Sequence, residues 1–101
     1  MFFVIYQFEI KTDKEEQFIS NWAKMTEFFV EKCGGFGSKL HKDKNGFFIA
    51  YAKWPDEITW ANAKNFPPEI KAISQLMKDC YLDGTSVKVI YQLTCVKDML
   101  V

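Results

Sequence analysis

The first stretch of the chain has the apolar pattern of a strand that is buried on both faces. Between residues 2 and 11, large apolar side chains occur at both parities: Phe2, Val4, Tyr6 and Phe8 on one side, Phe3 and Ile5 on the other. A strand with one face in water alternates apolar and polar residues, whereas a strand covered on both sides does not. The pattern therefore predicts a strand that is covered on each face.

A helix follows, because the next apolar residues recur at helical spacing. This stripe runs to about residue 32 and consists of Phe18, Trp22, Met25 and Phe29. Asp13 followed by Glu16 has the spacing of a capping pair, which predicts where the helix begins. Gly34 and Gly35 predict its end.

Two strands then form a predicted hairpin over residues 36–42 and 47–54. They are joined through "KDKNG", in which Asn45 and Gly46 favour the positive φ angles of a tight turn. The second strand is again apolar at both parities, so it too is expected to be covered on both faces. Pro55 ends it.

The rest of the chain predicts a helix broken in two and a last strand. Asp56 can cap a short helix with the residues Ile58, Trp60, Ala61 and Ala63. Two prolines separate it from a longer helix that ends near Asp83 and Gly84 and carries Ile70, Ile73, Leu76, Met77 and Cys80. The last strand, about residues 86–96, places on one face Val87, Val89, Tyr91, Leu93 and Cys95.

The order β-α-β-β-α-β predicts an α+β fold in one domain over residues 1–101. This is the ferredoxin-like layout, an antiparallel sheet with helices on one face, here with the second helix broken. The other sheet face is uncovered within one subunit, and leaving its apolar residues in water costs about 25 cal/mol per Å². We therefore expect a homodimer in which two sheets pack face to face.

Composition excludes several classes of partner. Thirteen basic residues balance thirteen acidic ones, and arginine is absent, which argues against nucleic-acid binding. No segment is long and apolar enough for a membrane span. The cysteines, Cys33, Cys80 and Cys95, are far apart and odd in number, as is typical of free thiols in the cytoplasm. No spacing of cysteine or histidine indicates a metal site.

The hairpin and the short helix after it resemble a known family. The stretch "GFGSKLHKDKNGFFIAYAKWPDEITWANA" is similar to antibiotic biosynthesis monooxygenase (ABM) domains, which commonly read Gly-x-x-x-Ser-Arg-Leu-His-Arg, a turn, and an aromatic strand ending in Trp-Pro. The opening "VIYQFEIKTDKEEQFISNW" resembles their first strand, turn and helix. The resemblance implies a dimeric α/β barrel and, for part of the family, a cofactor-free oxygenase acting on quinols or phenols.

Another branch of the family degrades haem, and the resemblance argues against that activity here. This branch uses an Asn on the first strand and then a Trp and a His on the segment after the position of Trp54. Alignment on Trp54 puts Ala63 and Ala72 at those two positions. No axial ligand for a haem iron then remains.

A cofactor-free oxygenase needs a pocket with polar donors and aromatic walls. The candidate catalytic residues are Tyr6 and Gln7, of which only one can face the space between sheet and helices. The candidate pocket residues are Trp22, Met25, Trp60, Phe66 and Met77. For both Trp22 and Trp60 a role in the core is favoured over a role in the pocket wall. A cavity below about 300 Å³ would be too small for a typical ligand.

His41, the one histidine, lies among charged residues on the first hairpin strand, which favours a structural role over that of a general base. The absence of an obvious acid-base pair leaves a second hypothesis open. The chain would then be a non-catalytic dimeric binding or stress-related protein of the same fold. Haem binding would require His41 to reach the pocket.

Overall fold

The structure is a computed structural model that describes all residues, 1–101. It contains four strands, β1 (Phe2–Phe8), β2 (Ser38–Lys42), β3 (Phe48–Trp54) and β4 (Lys88–Thr94). Its three helices are α1 (Glu15–Lys32), α2 (Glu57–Ala61) and α3 (Pro68–Lys78). No helix combines the length and the apolar character needed to cross a membrane.

The strands form one antiparallel sheet in the order β2-β3-β1-β4, with the helices on one face. This confirms the predicted ferredoxin-like α+β fold and the break in the second helix. The first strand, the strands of the hairpin and the last strand are each shorter than predicted, by a few residues at their ends.

The core lies between the sheet and the helices. Alternate residues of β1 and β3 point toward the helices and are nearly inaccessible to solvent: Phe2, Val4, Phe8, Phe48, Ala50, Ala52 and Trp54. From α1, Phe18 packs between the rings of Phe8 and Phe48 at centroid distances of 4.9 and 5.3 Å. Met77 and Ile70 of α3 complete this layer.

The opposite face of the sheet carries no helix. Its apolar residues are Phe3, Ile5, Ile49, Tyr51, Tyr91 and Leu93, which we call the open face. The rings of Phe3 and Tyr51 stack at 4.9 Å. As expected, this face is not covered within a single subunit, where Phe3 and Ile5 are half-buried and Tyr91 is 60% exposed.

The start of α1 differs from the prediction. A single turn of 3-10 helix over Thr12–Lys14 precedes α1, and no side chain caps either element. Asp13 and Glu16 therefore do not act as a capping pair, because the 3-10 turn places Asp13 inside the helical segment rather than at its boundary. The end of α1 is as predicted: Gly34 has a φ of 79° and the N–H of Gly35 donates to the carbonyl of Phe29.

The hairpin turn is also built differently. Only Gly46 has a positive φ, 88°, and Asn45 does not. The Asp43 carboxylate instead accepts hydrogen bonds from the N–H groups of Asn45 and Phe47, both at 2.9 Å. A side chain thus supports a longer turn in which one glycine is sufficient.

The start of the second helical segment is as predicted. The Asp56 carboxylate accepts a hydrogen bond from the N–H of Thr59 at 2.8 Å and so caps α2. The longer helix, however, ends at Lys78 rather than near Asp83. The residues after Lys78 leave the helix to pair with the segment that follows β1. The N–H of Leu82 donates to the carbonyl of Glu9, and the N–H of Lys11 donates to the carbonyl of Cys80.

The prediction that the apolar residues of the last strand share one face is wrong, because β4 contains a bulge. Ile5 pairs with Tyr91 but Tyr6 pairs with Val89, so Ile90 is the extra residue. The bulge reverses the alternation, so that Val87 and Val89 share the helix side with Tyr6 and the following apolar residues, Tyr91 and Leu93, lie on the open face. A strict period of two predicts one face for all of them.

Candidate functional site

A cavity of about 180 Å³ lies between the sheet and the helices. Its walls come from β1, β3, α1 and α3, together with residues that flank the strands and helices, and twelve of its eighteen lining residues are hydrophobic. The cavity is therefore a mostly apolar space inside the same layer that forms the core, with few polar groups to orient a ligand.

The space exists because two small residues follow the helix side of β3. Ala50 lies opposite Tyr6 and Ala52 lies opposite Val4 in the β1–β3 pairing. Each alanine is almost completely buried, and a larger side chain at either position would project into the cavity.

Tyr6 is the polar group that β1 contributes to the cavity. Its hydroxyl oxygen accepts a hydrogen bond from Trp60 Nε1 at 2.7 Å, which joins the sheet to α2. The Trp60 ring also packs on Phe2 with a centroid distance of 5.7 Å. Trp60 therefore fixes the orientation of the Tyr6 hydroxyl and leaves its proton free to be donated.

Two tyrosines line the cavity, and both stay neutral at physiological pH. Burial raises the pKa of Tyr6, although the hydrogen bond from Trp60 partly opposes this. Burial, together with the nearby Cys80, raises the pKa of Tyr81 to about 12. Because no carboxylate or imidazole lines the cavity, it offers hydrogen-bond donors but no base that titrates near neutral pH.

Two other polar atoms, in residues that line the cavity, are inaccessible to solvent and have no hydrogen-bond partner in the protein. They are Ser38 Oγ, at the start of β2, and Trp54 Nε1, at the end of β3. Trp54 is only 3% exposed. Buried polar groups are nearly always paired, so these two atoms are exceptions in this protein.

The candidate residues proposed from the sequence separate into two groups. Five of them line the cavity: Tyr6, Trp22, Met25, Phe66 and Met77. Gln7 pairs with Ile49 and lies on the opposite face of the sheet, so Tyr6 is the one of the two that faces the cavity. Trp60 stands behind Tyr6 and does not line the cavity.

His41 is exposed and pairs with Ile49 on the side of the sheet away from the helices. The cavity therefore receives no imidazole that could bind a haem iron. No group of three potential metal-ligating side chains occurs in the molecule. All three cysteines are free thiols, and burial raises the pKa of Cys33 and of Cys80.

Sequence reasoning missed several residues of this site. Ser38 is the serine of the "GFGS" stretch, and the family resemblance implied no role for it. Ala50 and Ala52 lie between Phe48 and Trp54 at one parity of β3, and such small residues between large ones are a signal for space beside a strand. Nothing in the sequence indicates that Tyr81, which follows α3, lines the cavity. Its position depends on the pairing of residues 80–82 with residues 9–11.

Comparison with protein-family models gives no match to this sequence, and comparison with curated proteins gives none either. Solved structures do match. The crystal structure of an antibiotic biosynthesis monooxygenase has 17% identity and a TM-score of 0.73, covering 96% of this chain and 100% of that one.

Two further structures have the same fold. A variant of SnoaB, a cofactor-independent oxygenase from Streptomyces nogalater, has 16% identity and a TM-score of 0.74, covering 97% of this chain and 95% of its own. A protein from Methanosarcina mazei Go1 has 16% identity and a TM-score of 0.68, covering 87% and 88%. The similarity confirms the resemblance that the hairpin predicted: this chain has the fold of the antibiotic biosynthesis monooxygenase domains.

Proposed function

We propose that the chain is a cofactor-independent monooxygenase that oxidises a small phenol or quinol in the cavity between sheet and helices. The observation that carries the proposal is the Tyr6 hydroxyl, which Trp60 holds in place at an apolar cavity. The fold supports it, because one structure of that fold is of a cofactor-independent oxygenase.

The reaction balances without any redox cofactor. A phenol with a free para position and one dioxygen molecule give a para-quinone and one water molecule. One oxygen atom forms the new C=O bond at the para carbon, the other leaves as water, and the phenol supplies all four electrons. The phenolate is the form that reduces dioxygen, so a catalytic site must favour the deprotonated ring oxygen.

Tyr6 has the properties for that task. Its raised pKa keeps it protonated, so it can donate to a phenolate oxygen rather than remove a proton from the phenol. Trp60 orients the donor, and the apolar walls strengthen the hydrogen bond by excluding water. The proton of the phenol leaves to solvent, because no carboxylate or imidazole lines the cavity.

The homodimer is part of the same proposal. The open face exposes residues that are buried in most monomers, with Tyr91 at 60% and Leu93 at 42% exposure. A second copy of the sheet could cover this face, since two apolar sheet faces pack well at about 10 Å separation. The free thiols support a cytoplasmic location for the dimer.

A second candidate function is a non-catalytic binding protein of the same fold. It is favoured by the cavity volume of about 180 Å³. Pockets for drug-sized ligands begin at about 300 Å³. In this alternative the aromatic walls fill the site, and the Tyr6 and Trp60 pair only stabilises the fold.

The test is dioxygen uptake with a panel of phenols and hydroquinones, without added flavin or metal. The proposal expects turnover that falls at least tenfold in Tyr6→Phe, which lacks the donor. The matched control is Tyr51→Phe, because this ring lies on the open face and keeps its stacking on Phe3. No uptake across the panel, or equal loss in both variants, would favour the binding protein.

A further inference from the structure

We propose that residues 56–66, which comprise α2 and most of the loop after it, form a lid that completes the cavity by closing on Tyr6. The lid opens while the rest of the protein stays folded, and a phenol bound at Tyr6 holds it closed. This regulation rests on the proposed oxygenase site, because the ligand that closes the lid is the proposed substrate. Proline marks both ends of the lid, with Pro55 before it and Pro67 after it.

The lid has a single polar link to the rest of the protein. Its main-chain hydrogen bonds join its own residues, as from the N–H of Asn62 to the carbonyl of Ile58, and none reaches another segment. None of its charged side chains forms an ion pair. One side-chain hydrogen bond leaves the lid, from Trp60 Nε1 to the hydroxyl oxygen of Tyr6 at 2.7 Å.

The apolar contacts of the lid are also few. Trp60 and Ala63 pack against the cluster that contains Phe2, with 5.7 Å between the ring centroids of Trp60 and Phe2. Phe66, which lines the cavity, packs on Phe29 of α1 at 6.0 Å. No residue of the lid is buried. A segment with so few buried contacts opens at a lower free energy than the core.

Opening the lid takes the site apart. Phe66 leaves the cavity wall, and Tyr6 loses the donor that orients its hydroxyl. The helix α2 has five residues, and a helix this short is not stable in water without contacts to the rest of the protein. Release of the lid therefore unwinds α2 and exposes its amides to exchange with solvent.

A phenol at Tyr6 stabilises the closed lid. The Tyr6 oxygen accepts from Trp60, and the Tyr6 proton is available to a ligand oxygen. A hydroxyl that donates one hydrogen bond becomes a better acceptor for another, so the ligand strengthens the bond from Trp60. By linkage, the closed lid raises the affinity for the phenol by the same factor. A hydrocarbon ring without an oxygen lacks this effect.

The first test is hydrogen exchange of single amides by NMR, and it needs no ligand. We expect the lid amides to exchange through a smaller opening free energy than those of β1 and β3. The discriminating variant is Phe18→Leu, because Phe18 packs between Phe8 and Phe48 in the core and keeps these contacts when only the lid opens. It should speed exchange in β1 and β3 and leave the lid amides unchanged.

Two results of the exchange experiment would overturn the lid. One is an equal opening free energy for the lid and the two strands in the wild-type protein. The other is equal acceleration of both regions in Phe18→Leu. Either result would show that the lid opens only when the whole protein unfolds.

The second test addresses the link between the lid and the ligand. Trp60→Phe should raise lid exchange at least about fivefold, the effect of losing one neutral hydrogen bond. The probes are 4-methylphenol and toluene, and 4-methylphenol should slow lid exchange more than toluene does. This difference should disappear in Tyr6→Phe, which has no hydroxyl. Unchanged exchange in Trp60→Phe, or equal effects of the two probes on the wild-type protein, would overturn the link.

Failure of this inference can be told apart from failure of the proposed function. Local opening of the lid, in a protein that shows no dioxygen uptake with any phenol, would keep the lid and remove the oxygenase. Dioxygen uptake that depends on Tyr6, in a protein whose lid amides exchange only through global unfolding, would keep the oxygenase and remove the lid.

Discussion

Ala50 lies directly opposite Tyr6 in the β1–β3 pairing, and its single methyl group leaves open the space beside the tyrosine ring. The cavity thus depends on the pairing of one large polar aromatic residue with one of the smallest side chains. Such an arrangement is easy to fill by a single substitution, and this gives the first prediction.

We expect Ala50→Leu to abolish ligand binding and turnover, because the added side chain would occupy the cavity next to Tyr6. Overpacking a core commonly costs about 1–3 kcal/mol, and the cavity should keep the cost at the low end. Urea denaturation checks the fold, and dioxygen uptake checks the function. Ala72→Leu is the matched control, because Ala72 is exposed on α3. Full activity in Ala50→Leu would mean that the reaction occurs elsewhere.

The hydrogen bond from Trp60 to Tyr6 should be measurable as a coupling energy. We expect Tyr6→Phe and Trp60→Phe to be coupled by about 0.5–1.5 kcal/mol in the free energy of unfolding, because either change removes the same bond. The measurement is a double-mutant cycle by urea denaturation. Strict additivity of the two changes would show that the 2.7 Å contact does not stabilise the protein.

Alkaline pH should destabilise the protein through its buried tyrosines. Burial raises the pKa of Tyr6, and that of Tyr81 to about 12, above the value of about 10 in an unfolded chain. Their neutral forms are favoured by folding, so this stability is fully present below about pH 10 and is lost as pH rises from there through the folded pKa values.

The measurement is the free energy of unfolding between pH 8 and pH 12. We expect Tyr81→Phe to flatten the decline above about pH 10, since phenylalanine cannot ionise. An unchanged slope in this variant would assign the alkaline loss to other groups.

The two predicted helix caps should differ in their cost. Asp56→Ala should lower the free energy of unfolding, because the Asp56 carboxylate accepts hydrogen bonds from both the N–H and the hydroxyl of Thr59. Asp13→Ala should cost no more than a few tenths of a kcal/mol, since Asp13 makes no capping bond. Thermal or urea denaturation of both variants checks this. Equal costs would mean that the carboxylate of Asp13 does cap the helix.

Charge on the open face should separate the proposed dimer. Ile5→Lys places an ammonium group at the centre of that face, so we expect monomers in analytical ultracentrifugation at micromolar concentration. Ile58→Lys is the control, because Ile58 is 72% exposed on α2, away from the open face. A wild-type chain that already sediments as a monomer would remove the dimer from the proposal.

The fold could be predicted largely from local signals. Proline and glycine positions gave the break between α2 and α3 and the end of α1, and the carboxylate of Asp56 marked a true cap. These features depend on a few neighbouring residues, so a single sequence contains them. The 3-10 turn before α1 and the early end of α3 were not predictable, because pairing between distant segments decides where α1 begins and where α3 ends.

The site was predictable only in part. The choice between Tyr6 and Gln7 depends on which face of β1 the helices cover, and a pattern that is apolar at both parities contains no such information. The bulge at Ile90 likewise changes which residues of β4 face Tyr6. Ser38 belongs to the site because β2 pairs with β3, a contact that the motif alone does not reveal.

The sheet order has a consequence for how the chain is made. β1 is synthesised before the other strands of the sheet, yet it lies between β3 and β4, and Phe2 pairs with Thr94 of the last strand. A nascent chain on the ribosome therefore holds its most apolar strand with one edge unpaired until β4 has been made. Premature termination before residue 88 would leave that edge permanently open to other chains, so truncated products should aggregate rather than persist in solution.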